Sequence, residues 1–375
     1  MTNLLTEADA AAAWGALEAS QAVAAPHADA RAKPYHYYKP FAQAADEFIR
    51  EAQDQNRVFT GQAEFDAEMR GIGSGHLMVV VGYTHSGKTQ WVVGKPLRHN
   101  KHKRILIFSP DEPRTLTLAK LASIEAGVPS RELEVRVAAG DQVAIDLLRN
   151  TALVDFPNLI VFDRPLTPQM MRDGYSEACD VWGDEPDLMV VDYVDLVQAG
   201  DSPPAKFDFL KAFNSERNGR MIAIHQTSRS AGADGKEMTI SSGNYGGEQH
   251  ATFMVGIRRK KSGLESERKD LMQRVAKGSE AASGRLAEVE YDLKIHQFTT
   301  TANLVKNKRP GGGLVDDIDL EIDRDTGRLY DLHGDLPSQY LALREKERAA
   351  APKPRSVSPP VPYHQEPKLN YEGDF

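Results

Sequence analysis

The residues best suited to chemistry stand in one short stretch, where an apolar run gives way to a glycine-rich turn. The run from Leu77 to Val81 is typical of a buried parallel strand. The turn that follows fits the pattern G-x-x-x-x-G-K-[ST] in full. The residues expected to surround a bound phosphate chain are Gly82, Tyr83, Thr84, His85, Ser86, Gly87, Lys88 and Thr89.

This spacing suits phosphate binding for a physical reason. Gly82 and Gly87 allow a tight turn whose backbone N–H groups point inward, and these groups hold phosphates together with the N-terminus of the next helix. Lys88 adds a positive charge, and the Thr89 hydroxyl is a ligand for Mg²⁺. The alternative is a glycine-rich turn with a chance lysine. The preceding strand and the helical stretch from Gln90 favour nucleotide binding.

A second element of such a site ends at Asp192. The apolar residues from Leu188 to Val191 precede this aspartate, which predicts a carboxylate at the C-terminal edge of a central strand. That edge is where α/β sheets bind ligands, and an aspartate there orients the shell of a Mg²⁺ ion. A strand-ending aspartate that only caps a turn is the alternative interpretation.

Two further polar candidates follow other expected strands. Asp111 and Glu112 come directly after strand 104–108, where either carboxylate could polarise an attacking water as general base. The competing role for them is N-capping of the helix near Thr115. Gln226 ends another strand, where a neutral amide could sense a γ-phosphate or could simply be a polar strand end.

A basic cluster and a polar loop complete the set of candidates. The cluster from Lys306 to Arg309 is followed by three glycines. Arginine is suited to a finger on transition-state phosphate charge, while a basic surface hairpin is the alternative. Residues 228–248 are rich in Gly and Ser, with Arg229 and Lys236 among them. A mobile loop here could couple hydrolysis to a polymer in a channel, or be a disordered surface loop.

Composition sets the bounds of the interpretation. The chain has 375 residues, of which 27% are charged, and its only cysteine is Cys179. One cysteine excludes a disulfide framework and a cysteine metal site, and it suits a reducing cytoplasm. The N-terminus lacks the basic start of a signal peptide, and no apolar run is long enough to span a membrane. A net charge of -8 argues against indiscriminate coating of nucleic acid, though it permits a local basic channel.

Strand and helix signals alternate along the chain, which predicts an α/β fold with a central, mostly parallel, twisted sheet flanked by helices. The expected strands are 77–81, 104–108, 158–163, 187–192, 220–226, 252–257 and 299–305, with a terminal hairpin at 314–322 and 328–330. The expected helices are 6–23, 39–53, 88–99, 115–127, one or two within 131–149, 168–181 and 207–218.

Three regions follow from this pattern. Residues 1–55 are expected to hold N-terminal helices and a linker, and residues 56–335 to form the α/β core. Within the core, residues 258–295 are expected to be a charged helical insertion with solvated faces. Residues 336–375 include a polar, proline-rich stretch that predicts a disordered tail.

Taken in order, these motifs resemble the ATPase domain of DnaB-type replicative helicases, within the RecA-like ATPases, from about Val58 to Ile322. The stretch containing Asp192, Tyr193 and Asp195 is similar to that family's Ile-Asp-Tyr-Leu-Gln-Leu. His225 begins a stretch that resembles Ser-Gln-Leu-Asn-Arg. Other similar stretches are Thr60-Gly61 through Gly75, Ser242-Gly243 through Gln249, and Lys306 to Gly311, which resembles Lys-Gln-Arg-Asn-Gly.

One departure concerns the general base. The residues around Ser109 resemble the family's Ser-Leu-Glu-Met-Pro, and Asp111 stands where that motif has glutamate. Aspartate is shorter, so the resemblance leaves Asp111 and Glu112 as alternatives. It implies a trans-acting finger at Arg309, with Lys306 or Lys308 as its companion.

The resemblance also implies an assembly and an activity. It implies a RecA-like P-loop ATPase that forms a hexameric ring, with ATP and Mg²⁺ at subunit boundaries and single-stranded DNA through the centre. The helix at 39–53 is then expected to be a linker that docks on the next subunit. Only about 55 residues precede the core, so the family's collar domain is not expected; this suggests a short phage-type member acting in the host cytoplasm with other replication proteins.

Two other functions share the fold and stay open at this level. One is a RecA-like recombination or strand-exchange ATPase that coats DNA as an open filament. The other is a DNA-dependent loader ATPase that does not unwind.

Overall fold

The structure is a computed structural model that describes residue 41 and residues 44–54, 57–227 and 247–332. The helix expected at 6–23, nearly all of loop 228–248 and the tail after 335 lie outside these ranges. Contacts divide the chain into two units, residues 1–54 and residues 55–375. No helix in the described ranges is long and apolar enough to cross a membrane.

The described part of the first unit is one amphipathic helix, α1 (Ala44–Gln53). None of its residues is buried, and Phe48 is 70% exposed. Acidic residues lie in its first turn and Arg50 in its last, which suits the helix dipole. The helix expected at 39–53 therefore forms over Ala44–Gln53, and its apolar side is exposed.

The second unit is built on a nine-stranded sheet in the order β3-β2-β4-β5-β1-β6-β7-β8-β9. Strands β1 to β6 run parallel wherever they pair, while β7, β8 and β9 pair antiparallel. The predicted α/β fold with a mostly parallel sheet is confirmed. The strands are β1 (Leu77–Gly82), β2 (Ile105–Phe108), β3 (Leu159–Phe162), β4 (Leu188–Asp192), β5 (Met221–Gln226), β6 (Phe253–Arg259), β7 (Thr299–Asn307), β8 (Val315–Ile322) and β9 (Leu329–Asp331).

Helices cover both faces of the sheet. Most of the side-chain caps are Asp, Ser or Thr residues that accept hydrogen bonds from first-turn amides. The helices are α2 (Ala63–Met69), α3 (Lys88–Val92, continued by a wider turn, Val93–Leu97), α4 (Arg114–Ala126), α5 (Ser130–Ala138), α6 (Gln142–Asn150), α7 (Pro168–Trp182), α8 (Pro203–Glu216), α9 (Gly247–His250), α10 (Lys260–Ala276) and α11 (Glu280–Ile295).

Several boundaries differ from the sequence prediction by a few residues, and two of them have a clear physical reason. Helix α8 begins at Pro203 and not at 207, because Ser202 caps it and proline is favourable in a first turn. The charged segment begins at Lys260, since residues 258 and 259 extend β6. Helices α10 and α11 share a small apolar core, and ion pairs such as Arg285–Glu267 link their exposed surfaces.

The sheet has an apolar core on each face. Val80, Val190 and Ile224 pack on one side, and Val79 and Val191 pack on the other. Because parallel strands are buried on both faces, they appear in the sequence as unbroken apolar runs. This packing fixes the strand ends that carry the polar candidates.

At the opposite, amino edge of the sheet, Arg104 and Asp187 join the starts of β2 and β4. The Arg104 guanidinium donates to Asp187 Oδ2 and Oδ1 at 3.1 and 3.0 Å, and the Arg104 amide donates at 2.9 Å. Burial alone would raise the pKa of Asp187, but the hydrogen bonds from Arg104 hold it below the ordinary 3.8.

Replacing Asp187 with asparagine is expected to lower the free energy of unfolding by about 1.5–3 kcal/mol at pH 7, because charged hydrogen bonds of this kind contribute about that much. A carboxylate with a lowered pKa stabilises the fold above its unfolded pKa and loses that effect as pH falls through its folded pKa. Urea unfolding should therefore show the difference at pH 7 and a shrinking difference below pH 4. An equal effect from the control Asp180→Asn would contradict this account.

Candidate nucleotide site

The polar candidates from several strands meet in one cleft at the carboxyl edge of the parallel strands. The cleft has a volume of about 350 Å³. Its residues come from the turn after β1, the segments after β2 and β4, and the end of β5. They are Thr84, His85, Gly87, Lys88, Thr89, Gln90, Ser109, Asp111, Glu112, Asp192, Tyr193, Ile224 and Gln226.

The turn after β1 has a backbone that demands its glycines. A Cβ on Gly82 would lie 2.3 Å from the carbonyl oxygen of Ile257 on β6. Gly87 has φ of 97°, a left-handed conformation that disfavours other residues. Gly87 also precedes the first turn of α3 and provides no side-chain cap, so that turn's amides are left for another acceptor.

Lys88 is buried within this turn, with only 7% of the residue exposed. Its Nζ donates to the carbonyl oxygens of Gly82 and Tyr83 at 2.9 and 2.7 Å. Burial lowers the pKa of Lys88 to about 8, and the negative charges of Asp192 and Asp195 partly oppose this. A buried ammonium group surrounded by loop carbonyls is well suited to bind phosphate oxygens.

Thr89 and Asp192 both line the cleft, and the Thr89 side chain favours the ionised form of the Asp192 carboxyl. Burial raises the pKa of Asp192 to about 6, and the charge of Glu112 adds to that rise. Hydroxyl and carboxylate oxygens fit a hard cation such as Mg²⁺. The described ranges contain no cluster of three or more His, Cys, Asp or Glu that could hold a metal. The donors therefore fit Mg²⁺ held largely through nucleotide phosphates and water.

Both candidate bases line the cleft, but their surroundings differ. Both Glu112 carboxylate oxygens accept from Lys120 Nζ, the longer bond at 2.6 Å. Asp111 forms no ion pair with any residue that the structure describes. The capping interpretation was wrong for both, because Asp163 Oδ2 accepts from the Arg114 amide at 3.2 Å.

Gln226 connects the cleft to the end of β5. Its Oε1 accepts a hydrogen bond from Thr84 Oγ1 at 3.2 Å. The next residue, Thr227, donates its amide to the Gly82 carbonyl at 3.2 Å. Two residues of the phosphate turn, Thr84 and Gly82, thus bond to the last described residues before position 228.

Lys306 and Arg309 lie away from this cleft. β7 runs antiparallel to β6, so its end at Asn307 pairs with Phe253, at the amino edge of the parallel strands. The turn after β7 is fixed to α2, where Asn307 Nδ2 donates to the Glu68 carbonyl at 3.2 Å. The structure therefore does not bring the two basic residues to the phosphate turn of their own chain.

Several residues in or beside the cleft had no direct indication in the sequence. Lys120, which pairs with Glu112, lies within α4, eight residues beyond that carboxylate, and had no signal of its own. Tyr193 follows Asp192, and Ser109 stands two residues before Asp111. Closeness to these motif residues was the signal that could have identified them. The carbonyl of Ile257 lies close to Gly82 because β6 pairs with β1. That contact can be recognised only when the pairing of these two strands is known.

The fold and the cleft define the class of protein, a RecA-like P-loop ATPase. The described core resembles solved structures at low identity. One is a DnaB-like replicative helicase studied with its interactions with primase (TM-score 0.56, 14% identity, 86% of this chain and 71% of that chain). Another is the ATPase domain of G40P (TM-score 0.58, 15% identity, 79% of this chain and 100% of that chain).

The sequence of the chain also matches the model of a known protein family. The DnaB-like helicase C terminal domain matches residues 58–299, and the chain therefore belongs to that family. It is a P-loop ATP hydrolase of DnaB helicase type, as the motifs predicted. A comparison with curated protein sequences found no match.

Proposed function

We propose that this chain is a ring-forming motor that uses ATP and Mg²⁺ to move along single-stranded DNA in replication. One observation carries the proposal: phosphate, metal and sensor groups share one cleft, while the basic finger candidates lie at the opposite edge of the sheet. A site built this way is complete only when a second subunit supplies the basic group. We place the activity in the cytoplasm, in a host if the chain is phage-encoded.

Within the cleft we assign roles by chemistry. The turn from Gly82 to Thr89 and the Lys88 ammonium bind the phosphates, and Thr89 and Asp192 would hold Mg²⁺. When bound, Mg²⁺ neutralises charge that develops on the phosphate oxygens. Gln226 is placed to respond to the γ-phosphate and to pass that response to the chain that follows Thr227.

We assign the general base to Asp111. Both Glu112 oxygens are held by Lys120, which leaves that carboxylate less able to accept a proton from water. Asp111 lines the same cleft and stands at the position of the motif's glutamate. Glu112 is then a positioning residue that holds Lys120 beside the cleft.

Replacing Asp111 with asparagine is expected to lower kcat for ATP hydrolysis roughly a hundred- to ten-thousandfold, because the base is lost and the shape is kept. Nucleotide binding, followed by a fluorescent ATP analogue, should change little. Glu112→Gln is the matched control and should cost much less. The reverse order of effects would move the base to Glu112.

We also propose a hexamer in which α1 docks on the neighbouring subunit. The reason is the exposed apolar side of α1, which carries Phe48 and Ile49 and which water solvates poorly.

Replacing Phe48 with glutamate is expected to shift the protein from hexamer to smaller species in sedimentation velocity at micromolar concentration. The control Arg50→Gln alters the net charge equally on the other side of the helix and should leave the hexamer intact. Equal dissociation by both variants, or by neither, would contradict docking through this side.

Unwinding of a forked duplex in the presence of ATP tests the proposed function, together with electron microscopy of the protein bound to a non-hydrolysable ATP analogue. Rings and ATP-dependent strand separation are the expected results. Filaments would favour the strand-exchange alternative, and rings that hydrolyse ATP without separating strands would favour a loader.

A further inference from the structure

A contact outside the assigned chemistry joins the end of β5 to the segment that follows β4. His225 precedes Gln226 on β5 and is 1% exposed. Its ring packs edge-on against Phe207 of α8, with centroids 5.3 Å apart. Its Nδ1 lies 3.3 Å from Oδ2 of Asp195, which stands three residues after Asp192.

Asp195 connects three parts of the molecule. The same Oδ2 that meets His225 lies 3.3 Å from the backbone nitrogen of Gln226, which donates to it. The backbone carbonyl of Asp195 accepts a hydrogen bond from Lys206 on α8. One residue thus fixes the end of β5 against the segment after β4 and against a helix.

The charge at this contact is well compensated. Burial alone would raise the pKa of Asp195, but the His225 side chain and the Gln226 amide, with the charge of Lys206, hold it below the ordinary value. The carboxylate is therefore ionised at neutral pH and attracts the polar groups around it.

We propose that Asp195 and His225 act as a positioning pair that fixes the end of β5 and so sets Gln226 against Thr84 in the cleft. The proposal rests on the proposed function for Gln226 as γ-phosphate sensor. Neither member lines the cleft, so both act through Gln226. A misplacement of about 1 Å in a catalytic arrangement costs roughly a hundredfold in rate.

Kinetics of the full chain with single-stranded DNA test the proposal. Asp195→Asn and His225→Ala should each lower kcat roughly ten- to a hundredfold, with KM for ATP within about threefold. The double variant should lose no more than the worse single variant, because the pair acts as one unit.

A matched pair elsewhere gives the control. Asp208 and His250 also form an aspartate–histidine contact, at 3.2 Å, but away from the cleft and with the Asp208 side chain 67% exposed. Asp208→Asn and His250→Ala should keep wild-type turnover. The proposal would be overturned if the losses in the Asp195 and His225 variants multiplied independently. It would also be overturned if the Asp208 and His250 variants lost turnover to the same degree.

Amide hydrogen exchange separates this proposal from the proposed function. Exchange in the segment 221–227 should rise in Asp195→Asn while the other strands stay protected. Unchanged exchange there would overturn the positioning role even if turnover fell. Full turnover in Gln226→Ala would instead reject the sensor role, and the exchange result would still decide whether the pair fixes the strand end.

Discussion

Replacement of Lys88 with alanine will abolish ATP turnover and leave the fold intact. The loss should reach roughly a hundred- to a thousandfold or more, since one preorganised positive group at a phosphate contributes about that much. The fold should survive, because burial of the Lys88 ammonium already opposes its charged state and lowers its pKa to about 8. Steady-state hydrolysis and thermal unfolding of the same preparation give the two measurements.

The helix that begins at Lys88 also supplies the matched control. Lys95 is buried to nearly the same degree, with 8% exposed, but it binds Asp331 at 2.7 and 2.8 Å and does not line the cleft. Lys95→Ala should therefore lower the melting temperature and keep turnover below it. Retained hydrolysis in Lys88→Ala would remove the phosphate turn from the mechanism.

Replacement of Arg309 with alanine should also lower kcat for ATP hydrolysis, by roughly a thousandfold or more. Loss of an arginine finger usually has an effect of this size. The distinguishing result comes from mixing. Because Arg309 lies at the edge of the sheet opposite its own phosphate turn, Arg309→Ala subunits keep an intact cleft, and Lys88→Ala subunits keep an intact finger. An equal mixture should recover about a quarter of the shared sites.

A charge control makes the mixing experiment specific. Arg274 lies on the exposed helix α10. The variant Arg274→Ala should keep full ATP turnover without being mixed with a second variant. No recovery at any ratio of Arg309→Ala to Lys88→Ala would contradict a site shared between subunits. Recovery by Lys306→Ala or Lys308→Ala in place of Arg309→Ala would identify the finger's companion.

The sequence predicted the strands well because of where they lie. Every strand formed within about two residues of its expected bounds. The clearest cases are β1, β2, β4 and β5, which are buried almost throughout and appear as apolar runs. The phosphate turn could also be predicted from the sequence, because its glycines and its lysine lie within one short segment. Asp192 and Gln226 were predicted for the same reason, as polar residues that end apolar runs.

What the sequence could not supply is contact between distant segments. The Arg114 amide donates to Asp163 and not to Asp111 or Glu112. Nothing in the sequence around Arg114 indicates this choice of acceptor. The contact of Asp195 with His225 joins two strands that are neighbours only in the sheet. The order of strands decides such contacts, and that order depends on packing across the whole core.

ATP hydrolysis by the full chain, measured with and without single-stranded DNA and with Lys88→Ala as control, most directly tests whether this chain is a DNA motor. We expect strong stimulation by the single strand in the wild type and none in the variant. ATP turnover that is indifferent to DNA would contradict a DNA motor.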